Sequence, residues 1–299
     1  MELKNLTPQQ EERAKSLHSK AIVIDGHSDI GIPLFLKRRY GKKGSLKSIH
    51  LPKMEAGGVT ASVTNCFCTR HMGTVNSPSL SALLSIDSLK EEMKLCNEAV
   101  LLVKTADDIV RAKEEGKIAV IIHFEGGEPV NDDLGFLRTF HALGLRSMGL
   151  THNYRNEIAD SVEERSGSGL SNFGVDLIHE MDRLGIVIDV SHLSKEGFWD
   201  VIQIAENPVI ASHCNARSLC DHKRNLNDEQ IRAIADKGGI VGACFYGPFI
   251  SHSANNHTIE KLLDHIEFMV NLVGIDHVGL GPDFIDYLFE FPQFKEKYS

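Results

Sequence analysis

The chain has 299 residues, 42% of them hydrophobic, which is enough to bury one large core. Its formal net charge of −9 argues against a nucleic-acid partner, and no basic arm or acidic tail is present. Six cysteines are scattered along it, the N-terminus MELKNLTPQQEERAKSLHSK lacks an apolar leader, and no run of about 18 apolar residues occurs. These features exclude a disulfide scaffold and a transmembrane helix and make the cytoplasm the expected location.

Residues 1–20 are polar and helix-like and read as an N-terminal helical extension to a single domain spanning 1–299. From there on a short apolar run, a polar end and a helical pattern recur. The runs are Ala21–Ile24, Thr60–Phe67, Ile118–Phe124, Leu145–Leu150, Ile186–Val190, Val209–Ala211, Ile240–Phe245 and His277–Leu280. Between the second and third lies a longer helical zone, Ser79 to Glu115, expected to hold two helices. Asn172 to Leu184 carries Val175, Ile178, Met181 and Leu184 on one stripe and stops at Gly185. Ser194 is placed to cap a helix that buries Phe198, Val201, Ile202 and Ala205. Asn227 with Gln230 resembles a capping box. Apolar strands alternating with amphipathic helices imply a parallel sheet covered by helices, and eight such units predict a (β/α)8 TIM barrel.

The polar residues just past each run carry the chemistry. The first run ends in Asp25-Gly-His27-Ser-Asp29, the third in His123-Phe-Glu125-Gly-Gly and the fourth in Thr151-His152-Asn153. The fifth and sixth end in His192 and His213, the seventh at Tyr246 and the eighth at Asp283. In such barrels the carboxyl ends of the strands converge on one mouth. His27 and Asp29 are two apart, so an extended backbone turns them the same way. Imidazoles and carboxylates together suit zinc or a similar divalent ion, and the set is large enough for two ions sharing a carboxylate. A water held between them would lose a proton near neutral pH. The loop after the sixth strand holds Arg217, His222, Lys223 and Arg224, and a guanidinium there could clamp a substrate carboxylate. Asp283 could shuttle a proton to a leaving amine.

Each residue also has a structural reading. A His after a strand can simply cap hydrogen bonds, and Asp25 and Asp189 read as partners of backbone or of neighbouring histidines. His123 lies inside a strand, as either a structural or a supporting group. Cys66 and Cys68, two apart, resemble a thiolate pair, but no second pair completes a site, so packing is expected. Gly126-Gly127 lacks the companion residues of a phosphate loop.

The segments DGHSD, HFEGGE, LTHN, GLSNFG, GIVIDVSH, SHCNARSLCDHKRNL and HVGLGPDF resemble the membrane (renal) dipeptidase family of dinuclear zinc peptidases, in the family's order from Ile24 to Phe284. The resemblance implies two Zn2+ ions, one held by His27, Asp29 and Glu125, the second by Glu125, His192 and His213. It implies that His152 steadies the carbonyl oxygen of the substrate, that Arg224 faces its carboxylate and that Asp283 moves the proton. The implied substrate is a small dipeptide, including those with a C-terminal D-residue. The sequence departs from the family after Asp283, reading Phe284-Ile285-Asp286-Tyr287. It stops at Ser299, a short tail past the eighth strand, so a barrel truncated there and closed by a homodimer partner is an open expectation. Two other readings stay open: another metal-dependent amidohydrolase, lactonase or deaminase, and a non-catalytic metal-binding protein.

Overall fold

The structure, a computed structural model, describes residues 6–68 and 77–292. Nine strands are present among them: β1 (Ile24–Ser28), β2 (Ala61–Cys68), β3 (Val100–Leu102), β4 (Ile118–Glu125), β5 (Leu145–Gly149), β6 (Val187–Asp189), β7 (Ile210–Ala211), β8 (Ile240–Ala243) and β9 (Val278–Leu280). Eight of them follow one another, all parallel, in the order β1-β2-β4-β5-β6-β7-β8-β9, and β3 pairs only with β4. The Asp283 backbone N–H donates to the His27 carbonyl at 3.3 Å, so the chain beyond β9 meets β1 and the ring nearly closes. The expected (β/α)8 barrel is the observed fold.

The helices lie between the strands, as parallel pairing requires of its crossovers. They are α1 (Pro8–Lys20), α2 (Gly31–Arg39), α3 (Leu51–Ala56), α4 (Pro78–Lys94), α5 (Ala106–Glu115), α6 (Leu134–Leu143), α7 (Asn172–Leu184), α8 (Lys195–Ile204), α9 (Asp228–Asp236), α10 (Gly247–Ile250) and α11 (Ile259–Val273). Local signals set several boundaries. Helix α7 ends at Gly185 with φ of 68°, where a side chain would be strained, and buries Ile178 and Met181. Ser194 Oγ accepts from the Gly197 N–H to start α8, and the Asn227–Gln230 capping box starts α9. Helix α1 opens with a Thr7–Gln10 capping box and buries none of its residues.

Two expectations need correction. The first strand is Ile24–Ser28, not Ala21–Ile24: Ile24 pairs with Ala61 and Ser28 with Thr64, so the polar Asp25-Gly-His27-Ser lies in the sheet itself. Apolarity marks a buried strand, but this strand ends inside a polar mouth. The zone from Ser79 to Glu115 does contain two helices, α4 and α5, but strand β3 separates them. Three residues are too few to show a period. Strand β3 flanks the first half of β4 (Val100 beside Ile118, Leu102 beside Val120), and β5 flanks the second half from Ile122 to Glu125.

A register shift between Asn65 and Cys68 on β2 separates the two neighbouring cysteines. The Cys66 Sγ lies 3.2 Å from where a Cβ on Gly31 would stand, while Cys68 Sγ lies 3.3 Å from His152 Nδ1. They form no pair. At the amino-terminal mouth a largely apolar cavity of about 480 Å³ is lined by Ile24, Val187, Ile240 and Leu280. Among the described residues no helix is long and apolar enough to cross a membrane.

His50 is buried against the edge of Tyr287, with ring centroids 5.3 Å apart, and its Nε2 has no hydrogen-bond partner. Burial, then Lys37 and Lys53, push its pKa down from 6.5 to about 4, against the weaker pull of Glu290 and Asp286. A folded-state pKa below the unfolded one means that the unfolded chain binds the extra proton first, so stability falls as pH drops through this window. Between pH 6.5 and about 4, wild type should lose roughly 3 kcal/mol more than His50→Leu. Urea melts of both proteins at each pH measure this, and a difference that does not change with pH would refute the assignment.

Candidate metal centre and active site

Six strand ends bring their polar residues to the carboxyl mouth, at the floor of a cavity of about 560 Å³ lined by Asp29, Glu125, His152, His192, Arg224 and Asp283 among others. Glu125 Oε1 is the centre. His192 Nε2 lies 3.0 Å from it, His213 Nε2 3.5 Å, His27 Nε2 3.6 Å and His152 Nε2 3.9 Å. His27 Nε2 is also 3.6 Å from Asp29 Oδ1 and 4.0 Å from Asp283 Oδ1. His27, Asp29, Glu125, His152, His192, His213 and Asp283 are therefore in one cluster, whereas Arg217 does not line this cavity. Arg224 is buried in the wall, its guanidinium 5.4 Å from the Phe249 ring.

The histidines are oriented from behind. Asp189 Oδ1 accepts the N–H groups of Ser191 and Ser212 at 2.9 and 3.0 Å. Its Oδ2 accepts the Ser212 hydroxyl at 2.5 Å. Having donated its proton, Ser212 Oγ must accept from His213 Nδ1, 2.8 Å away. That fixes the His213 tautomer and turns a lone pair on Nε2 into the cavity. Asn153 Oδ1, 3.1 Å from His192 Nδ1, does the same for His192. His123 supports this layer, with Nδ1 3.0 Å from Ser147 Oγ and Nε2 3.8 Å from Asp189.

Here acceptors face acceptors. The two Nε2 lone pairs of His192 and His213 stand 3.0 Å apart and both look at a carboxylate oxygen. Both ring nitrogens of His27 are buried without a hydrogen-bond partner. Burial favours the neutral ring of His27, but Glu125, Asp29 and Asp283 outweigh it and push its pKa up to about 10. Burial raises Glu125 to about 8 and Asp283 to about 7. Burial, with the cationic neighbours Arg224 and His27, holds His192 and His213 well below the usual imidazole range. A set of donor atoms that repel one another and hold protons so unevenly is reconciled by cations placed among them. Nitrogen and oxygen ligands about 2.0 Å from a tetrahedral ion stand roughly 3.3 Å from each other, close to the separations seen. The residues fit a metal centre.

Two supporting residues escaped the sequence reading. Asn65 on β2 donates through Nδ2 to Asp29 Oδ1 at 2.7 Å and to Glu125 Oε2 at 3.2 Å. Its Oδ1 accepts the backbone N–H groups of Glu125 and Phe67, each at 3.1 Å. One amide thus holds two carboxylates in place, over gaps of 36 and 60 residues that no local pattern reports. Cys68 packs in the core as expected, but it also touches His152, which the sequence did not indicate.

The family model of membrane dipeptidases (peptidase family M19) matches residues 11–296. The chain belongs to that family. It is 31% identical over 298 residues to a protein of Schizosaccharomyces pombe described as an uncharacterized dipeptidase, covering 92% of this chain and 71% of that one. A metallo peptidase from Rhodobacter sphaeroides, solved with a phosphinate mimic of the dipeptide L-Ala-D-Ala, superposes with a TM-score of 0.79 at 27% identity, over 88% of this chain and 86% of that one. An amidohydrolase from Pseudomonas aeruginosa gives 0.77 at 29% identity, over 91% and 77%. As an M19 protein the chain is a metallopeptidase of the dipeptidase type, with buried His, Glu and Asp clusters able to bind metal.

Asn65→Leu should weaken metal binding by roughly 10–100-fold, because the carboxylates of Asp29 and Glu125 lose their shared donor. Competition against a chelator, with circular dichroism to confirm folding, measures it. Wild-type affinity in the variant would show that the amide positions nothing.

Proposed function

We propose that this M19 chain is a zinc-dependent dipeptidase that works as a single barrel, with α1 as an extension outside it. The observation that carries the reading is the convergence of His27, His192 and His213 on one oxygen of Glu125, beneath a cavity that also holds Arg224 and Asp283. His27, Asp29 and Glu125 would hold one Zn2+, and Glu125, His192 and His213 a second. Bound there, the ions supply Lewis acidity toward the scissile carbonyl and lower the pKa of an attacking water.

The remaining steps belong to side chains. His152, buried beside His192 with ring centroids 4.6 Å apart, donates a hydrogen bond to the carbonyl oxygen as negative charge develops on it. Arg224 binds the substrate carboxylate with donors already desolvated. Asp283, reaching the His27 side of the cluster, takes a proton from the water and passes it to the departing amine. A cavity of about 560 Å³ with a carboxylate clamp selects a short substrate over a long chain. D-residues at the C-terminal position would be accepted on the same family resemblance.

Purified protein should carry zinc by elemental analysis and hydrolyse Gly-Ala, with activity lost on chelation and restored by Zn2+. His192→Ala should lose both metal and activity. Asp283→Asn should keep its metal and lower kcat by about 10²–10⁴-fold with little change in KM. Full dipeptide turnover by His192→Ala, or metal-loaded wild type inert toward a dipeptide panel, would overturn the proposal.

A further inference from the structure

A second cavity, of about 360 Å³, lies beside the metal-facing one, between the segment 161–167, the start of α8 and the loop after β7. Five cationic residues line it: Arg165, Lys195, Arg217, Lys223 and Arg224. Only two carboxylates do, Glu164 and Glu196. Glu164 is engaged elsewhere, accepting from the Arg155 backbone N–H at 3.1 Å and pairing with the Arg155 guanidinium at 3.5 Å. Lys223 is likewise paired, with Glu163. The cations left facing the cavity without an ion-pair partner among the described residues include both arginines, 217 and 224.

Buried, unpartnered donor atoms on those arginines, one buried and one half-buried, point to a ligand. Arg224 is 5% exposed, yet its Nε and Nη2 have no hydrogen-bond partner, and its Nη1 reaches only Cys214 Sγ at 3.7 Å. Arg217 Nη2 donates to the Lys223 carbonyl at 2.7 Å, which anchors the side chain, but its Nε is buried and unpartnered. Leaving one buried donor unsatisfied costs about 1–3 kcal/mol, and more on a charged group. Three such donors on two guanidinium groups lining one cavity are the groups an oxyanion would satisfy, since Arg forks match carboxylate and tetrahedral oxyanion geometry. The first turn of α8 adds a helix N-terminus to the same wall.

We infer that this cavity is a second oxyanion site, with Arg217 as its own residue and Arg224 as the wall it shares with the metal-facing cavity. Two sources offer the same chemistry: the side-chain carboxylate of an acidic residue in the dipeptide, or a free inorganic oxyanion. The first source rests on the function proposed above; the second does not.

Metal-loaded protein titrated with inorganic sulfate tests the site without turnover. The melting temperature of wild type should rise with sulfate concentration, as mass action requires of a ligand bound only by the folded state. Arg217→Gln should abolish the rise, and Lys195→Ala, an exposed change that spares the fold, should weaken sulfate binding by roughly threefold. Sulfate bound directly at the metals would survive both substitutions. In the kinetic arm, a substrate carboxylate in this site makes kcat/KM for Gly-Glu about tenfold or more above that for Gly-Ala, and Arg217→Gln erases the ratio through KM. A sulfate response with no preference for Gly-Glu identifies the free oxyanion as the ligand. A melting response equal in wild type and both variants, together with an unchanged Gly-Glu to Gly-Ala ratio, overturns the inference. Loss of all dipeptide turnover with the sulfate response intact would sink the proposed function and leave this site standing.

Discussion

The constraint behind the whole carboxyl mouth is the burial of Glu125 against imidazole nitrogens that present lone pairs to it. Water would normally solvate such a carboxylate, and burial, with Asp29 and Asp283 adding to it against His27 and Arg224, pushes its pKa up to about 8. Asp29 and Asp283 stand close by, so the cluster concentrates negative charge where solvent cannot screen it. His27, whose pKa these carboxylates push up to about 10, offsets only part of that charge. The surroundings tie four of the ligand residues in place: Asn65 holds Asp29 and Glu125, Ser212 and Asp189 hold His213, and Asn153 holds His192. Rigid, mutually repelling ligands favour exchangeable cations. This is the electrostatic logic of a metal centre, and a hydrophobic core would have no use for it.

Backbone strain is found in the same place. Three non-glycine residues among those described have positive φ, and two of them are His192 at 69° and Asp283 at 55°. Such conformations persist only where the surroundings over-determine them. His192 comes directly after the Ser191 N–H bond to Asp189, and the Asp283 N–H is bonded to the His27 carbonyl, so both turns are pinned at their start. The strands feeding them, β6 and β9, are each three residues long, and their shortness lets the chain turn abruptly into the cavity.

Much of this was legible in the sequence because the information is local. A polar residue ending a buried strand is visible in a single segment, and in a parallel barrel all such ends share a mouth. Caps at Ser194 and Asn227 and the stop at Gly185 were equally local. The features that escaped depend on pairing. Which residues of Asp25-Gly-His-Ser lie in the sheet depends on the register against Ala61–Thr64, and the separation of Cys66 from Cys68 depends on a bulge opposite β4. Asn65 looked like an ordinary polar interruption of an apolar strand. Its meaning appears only when Asp29 and Glu125 arrive from either side.

The glycines around β7 show how close packing and chemistry are joined. A Cβ on Gly281 would stand 1.7 Å from the Ser212 carbonyl oxygen, and one on Gly242 would stand 2.1 Å from the same atom. Real side chains cannot occupy that space, so β8 and the segment after β9 approach Ser212 only because both positions lack one. Ser212 is also the hydroxyl that orients His213, and Gly281 lies two residues before Asp283. The same close approach therefore sets the imidazole on one side and delivers the carboxylate from the other. An alanine at either glycine would have to push these elements apart, and the displacement would fall on the distance between His213, His27 and Asp283. The barrel closes tightest where its chemistry needs three chain segments in one place.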